Sequence, residues 1–102
     1  MYARNVSIHL KPNMLSDYTR TFENDVLPLL RKQNGFKDEI AFSGPGGTDV
    51  TAISLWDNKA NAEAYNTNIY PDVVKTMARV MDGTPQVQSG EVVNSTIHQA
   101  TA

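Results

Sequence analysis

Val6, Ile8 and Leu10 alternate with Asn5, Ser7 and His9, a period of two that predicts a β-strand. Pro12 ends it, because proline cannot donate to a sheet ladder. The spacing then lengthens: Leu15, Tyr18, Phe22, Val26, Leu29 and Leu30 recur at helical intervals. Asn13 or Ser16 can cap the start of this helix, and Gly35 suits a left-handed stop. Pro28 lies inside the stripe, lacks an N–H and crowds the carbonyl of Asn24, so a kink or break is expected there. Residues 36–43 and 49–56 return to strand character, and "GPGGT" between them predicts a hairpin. In the second of these strands Thr51, Ile53 and Leu55 share one face, and Val50, Ala52, Ser54 and Trp56 the other. Asp57 or Asn58 caps a short helix over 59–66, "TNIY" interrupts it, and Pro71 opens a second helix over 71–81. Val73, Val74, Met77, Val80 and Met81 form its apolar stripe. A long last strand follows over 86–98, bent at Gly90.

This order predicts an α+β, ferredoxin-like βαββαβ domain over 1–98: a four-stranded antiparallel sheet, the second helix split in two, and a tail at 99–102. Helices cover one sheet face. Apolar side chains also fall on the other face of at least two strands, so a face-to-face homodimer is expected.

At 102 residues the chain fits one domain. The net charge is -2 with signs interspersed, so neither nucleic acid nor an anionic membrane surface is an expected partner. Cysteine is absent, which excludes disulfides, thiol catalysis and cysteine metal sites. No apolar run approaches the roughly 20 residues of a membrane span, and the N-terminal stretch has no signal-peptide core; a soluble, cytoplasmic protein is expected. His9 and His98 are the two histidines and neither has ligand spacing, so no metal site is expected. "GPGG" lacks the lysine and helix of a phosphate cradle, and no serine sits in a nucleophile elbow. Glu39 and Glu91 form a carboxylate pair only if the strand register joins them. Met77 and Met81 read as core fillers.

Three large rings, Trp56, Tyr65 and Tyr70, crowd one connection. They either close a core or line a pocket. Trp56 shares its strand face with the small Ala52 and Ser54, which leaves room beside it. A cavity between sheet and helices is therefore expected, bordered by Trp56, at least one of Tyr65 and Tyr70, and Asn5 or His9 from the polar row Asn5, Ser7 and His9.

The strand order together with "ISLWDNKANAEAYNTNIYPDVV" resembles the antibiotic-biosynthesis-monooxygenase family, the dimeric α+β barrels. The resemblance covers nearly the whole chain and implies a dimer with a pocket in each subunit. In the haem-degrading branch Asn5 matches the site asparagine and Tyr65 stands for a tryptophan, but Lys75 occupies the histidine position. A protonated lysine is a poor iron ligand, so haem degradation is not expected. In the polyketide-oxygenase branch a tryptophan, a tyrosine and an arginine line the pocket, and Trp56, Tyr65 or Tyr70, and Arg79 are the candidates. The resemblance implies a cofactor-free monooxygenase acting on a small aromatic or quinone-like molecule. His9 would be the base, Asn5 or Tyr65 the oxyanion holder, Ser7 a ligand contact and Arg79 the anion stabiliser. The alternative is a non-catalytic binding or scaffold protein of the same fold.

Overall fold

The computed structural model describes residues 1–97. Four strands, β1 (Tyr2–His9), β2 (Phe36–Ser43), β3 (Asp49–Trp56) and β4 (Gln86–Glu91), form one antiparallel sheet in the order β2-β3-β1-β4. With the helices described below, this is the ferredoxin-like α+β arrangement. β1 and β3 are central; β2 and β4 are edges.

The β2–β3 hairpin has the predicted bounds, and its register slips between Phe36 and Asp38, leaving Lys37 as a bulge. β1 starts three residues earlier than its alternation indicated, because Tyr2, Ala3 and Arg4 also pair with β3. β4 stops at Glu91 and does not run to the predicted 98. Residues 98–102, with His98, the end of the predicted last strand and the tail, lie outside the described residues.

The first helical stretch holds α1 (Leu15–Thr21), a wider turn at Phe22–Val26 and α2 (Leu27–Arg31). The Leu27 N–H reaches back five residues to the Phe22 carbonyl, so this is a π-turn. The interruption expected at Pro28 takes this form. The missing N–H of Pro28 thereby falls in the first turn of α2, where no intrahelical donor is needed. Neither Asn13 nor Ser16 caps α1. Met14 holds the cap position without a side-chain bond, and Asn13 sits in the left-handed region at φ 62°, which asparagine tolerates. Gly35 adopts φ 79° as expected.

Asn58 caps α3 (Lys59–Asn68) by accepting from the Asn61 N–H. Ile69 separates it from α4 (Tyr70–Met77), with Pro71 in the first turn. α3 is thus longer, and α4 shorter, than the pattern indicated. The core joins one sheet face, through Leu10, Val50 and Trp56, to Tyr18, Val26 and Leu30 of the first helical stretch and to Tyr65, Val73, Met77 and Val80. The other face is uncovered: Ile40 and Phe42 are 55% and 57% exposed. Among the described residues no helix is long and apolar enough to cross a membrane.

Candidate functional site

Residues directly opposite in an antiparallel sheet share a face. Ser54 lies opposite Arg4 on one side and Glu39 on the other, so Glu39, Ser54 and Arg4 form one row across three strands on the helix-covered face. Ala41, Ala52 and Val6 form the next row. The small Ala52 and Ser54 leave space in the middle of this floor. Tyr18, Phe22, Tyr65, Tyr70, Val73 and Met77 roof it, and the free volume of this partly open space is about 50 Å³. That is room for one or two waters, whose share of liquid volume is about 30 Å³ each.

Arg4 is the dominant charge of this space. It is 3% exposed. Its Nη2 donates to Asn66 Oδ1 at 2.8 Å, and its guanidinium lies 4.5 Å from the Tyr70 ring centre and 5.0 Å from that of Tyr65. Both rings offer the cation their negative π-faces. Among the described residues no carboxylate forms an ion pair with it. Burial pulls its pKa down, against the pull of the two phenols.

Three other polar atoms of the box are unsatisfied. The Tyr18 and Tyr70 hydroxyls and Glu39 Oε2 are enclosed without a hydrogen-bond partner. Arg4 stabilises Tyr70 through its charge over the ring face; the hydroxyl itself meets no bond of good geometry. Burial raises Tyr65 to about 12, with Arg4 opposing, and raises Tyr18 and Tyr70 as well. Burial also lifts Glu39 from 4.5 to about 7. The site is therefore an apolar box with a lone guanidinium, neutral phenols and a carboxyl poised between its two forms.

Of the residues picked out by sequence, Tyr65 and Tyr70 line this box. Trp56 does not. It is fully buried, its Nε1 donates to Ser54 Oγ at 2.9 Å, and its ring packs 5.6 Å from Phe36 and 5.1 Å from Tyr65. It supports Tyr65 from behind. Asn5, Ser7 and His9 are corrected too. Asn5 lies opposite Ile53, not Ser54, so this row points away from the helices. His9 is at the exposed end of β1, where its Nδ1 bonds Asp49 Oδ1 at 2.7 Å. Neither His9 as base nor Asn5 as oxyanion holder reaches the box. Arg79 is exposed, and its Nη2 donates to Thr21 Oγ1 at 3.0 Å, so it is tied to α1 outside the box. Glu39 and Glu91 stand on opposite edge strands and form no pair.

Arg4, Glu39 and Tyr18 were missed as site residues. Arg4 precedes the alternating run Asn5–Leu10, and its pairing with Ser54 puts it on the Val6 face. Extending the alternation back from Val6 by one step would have found it.

Two open grooves flank the box. One, of about 490 Å³, runs between α3 and β4 and has Arg4 and Tyr70 in its wall. The other, of about 450 Å³, runs between α1 and β2 and has Tyr18, Phe22 and Glu39 in its wall. Among the described residues no group of three or more histidines and carboxylates could hold a metal ion.

No protein-family model matches the chain, and no curated protein matches it in sequence. Solved structures do match in fold. SnoaB, a cofactor-independent oxygenase from Streptomyces nogalater, superposes with a TM-score of 0.77 at 7% identity, over 95% of this chain and 97% of its own. The ActVA-Orf6 monooxygenase of Streptomyces coelicolor, solved with nanaomycin D bound, gives 0.73 at 14% identity, over 92% of each chain. A Bordetella bronchiseptica protein provisionally assigned to the antibiotic biosynthesis monooxygenases gives 0.76 at 16%, over 90% of this chain and 96% of its own. The chain is similar in fold to antibiotic-biosynthesis-monooxygenase proteins, as the resemblance in its sequence implied.

Proposed function

We propose that the chain binds a small aromatic or quinone-like molecule in the box between sheet and helices and oxidises it with molecular oxygen, without a cofactor. The observation that supports this best is the Arg4 guanidinium, buried in an apolar space with no carboxylate among the described residues to neutralise it. A buried cation left unpaired is costly, and an electron-rich or anionic ring laid against it offsets that cost. Loss of a proton from a phenol or enol gives an anion that reacts with oxygen directly. For a ring methylene activated in this way, CH2 and O2 become C=O and H2O, and the substrate supplies all the electrons. Arg4 holds the oxygen anion as it forms, and the apolar lining excludes water.

The box must widen for such a ligand. Tyr70 stands at the junction of α3 and α4, where the helix is interrupted at Ile69, and it separates the box from the α3–β4 groove. Rotation of this side chain opens the box to the groove.

The proposal extends to a cytoplasmic homodimer. Ile40, Phe42 and Ile53 share the uncovered face of the sheet, and a second copy packed there would remove them from water.

A second reading, a binding or scaffold protein without turnover, draws on the small free volume of about 50 Å³. Oxygen uptake separates the two. With anthrone-type and hydroquinone substrates, turnover well above the uncatalysed rate supports oxygenation, and binding without uptake supports the second reading.

A further inference from the structure

Glu39 sits on the edge strand β2, on the wall shared by the box and the α1–β2 groove. One side of this carboxyl thus faces the box and the other faces the groove. Its Oε2 is enclosed and accepts no hydrogen bond from the protein. The titratable groups around it are the phenols of Tyr18 from α1, Tyr65 from α3 and Tyr70 from α4, with Glu23 of the π-turn in the outer groove. The cation of the site, Arg4, lies two strands away in the same row. At a strand spacing of about 4.8 Å, their backbones stand roughly 10 Å apart. Among the described residues nothing beside Glu39 holds it ionised, so burial keeps both of its forms populated near neutral pH.

We propose that Glu39 is the proton acceptor of this site, taking the acidic proton of a bound phenol, enol or enolisable ketone and releasing it to the outer groove. The inference rests on the reading that the box takes an acidic aromatic ligand. In the step, the ligand O–H or C–H bond breaks and an O–H bond forms on Glu39. The electron pair stays on the ligand, its charge resting on an oxygen beside Arg4, and nothing is oxidised or reduced. The carboxylate then returns by passing the proton to water in the groove. Because the negative charge must come to rest on an oxygen that Arg4 can reach, the step selects a planar ligand of one or two rings whose acidic C–H or O–H is adjacent to, or conjugated with, that oxygen.

The test uses 2-tetralone, a bicyclic enolisable ketone, with the full chain in D2O under anaerobic conditions. Exchange of its α-protons is followed by NMR and its binding by fluorescence. Wild type should accelerate exchange, with a rate that rises through an inflection near pH 7. Glu39→Gln should bind within about threefold of wild type yet lose about 100-fold or more in exchange rate, and lose the inflection. Glu39→Asp, which keeps a carboxylate, should exchange faster than Glu39→Gln and retain the inflection. Binding with no acceleration by wild type, or Glu39→Gln exchanging at the wild-type rate, overturns the role of Glu39 and leaves the pocket reading standing. Absence of any binding by wild type overturns both.

Discussion

Replacing Glu39 by glutamine should stabilise the protein at alkaline pH and not at acid pH. The carboxyl ionises at 4.5 in its ordinary state and at about 7 in the fold, because burial disfavours its charged form. The folded chain therefore holds a proton that the unfolded chain has released between these two values. Stability is fully present below the lower pKa and is lost as pH rises through the upper one. At about 1.36 kcal/mol for each pKa unit, the whole displacement sets a ceiling of about 3 kcal/mol. The groove side of Glu39 is wet and screens the charge, which leaves about 1–2 kcal/mol at pH 8. Glutamine has the same shape and no charge to bury. For a domain of this size the variant should melt about 5–15 °C above wild type at pH 8, and within a few degrees of it at pH 4. Paired melts across this range, by circular dichroism, cancel the other titrating groups common to both proteins. The same difference in melting temperature at pH 4 and pH 8 would refute the burial argument.

Trp56→Ala should cost about 3–5 kcal/mol in urea unfolding, because a fully buried ring with a satisfied indole leaves a cavity that Phe36 and Tyr65 cannot fill; a loss below about 1 kcal/mol would show that the ring is not core. Gly35→Ala should cost more than about 1 kcal/mol, since φ is 79° there and a Cβ would collide with the Asp57 carboxyl, and an unchanged unfolding midpoint would contradict this. Phe42→Asp should leave the circular dichroism spectrum intact and convert a dimer to monomer in sedimentation; a variant that still sediments as wild type does would remove this sheet face from the proposed interface.

The strands and helices were legible because their patterns are local. The β2–β3 hairpin shows its period of two and its glycine-rich turn without help from the rest of the chain. Pro28 announced an interruption, although the sequence had no means of showing that a π-turn would place it just ahead of the proline. The pocket was legible only in part, because strand register is a long-range property. Trp56, Ala52 and Ser54 were rightly placed on one face of β3, but the polar row of β1 was laid beside them where Arg4 and Val6 belong. A slip of one residue in pairing exchanges the two faces of a strand. That slip carried Asn5, Ser7 and His9 into the expected pocket and kept Arg4 out of it. Glu39 reads from sequence only as half of a carboxylate pair, because the box it lines is completed by residues distant in the sequence, such as Tyr18, Tyr65 and Tyr70.

The central claim is that the cation buried under Tyr65 and Tyr70 is there to meet an electron-rich ring. It is tested most directly by titrating wild type and Arg4→Met with 2-naphthol and following the intrinsic fluorescence. Methionine fills similar volume and removes a buried charge that no carboxylate among the described residues neutralises, which offsets the lost bond to Asn66 and the lost ring contacts, so the variant should melt within a few degrees of wild type. Its affinity for 2-naphthol should fall at least about tenfold, the worth of one charge-assisted contact to a phenol oxygen. Equal affinity in the two proteins, or no binding to wild type at all, would contradict the account.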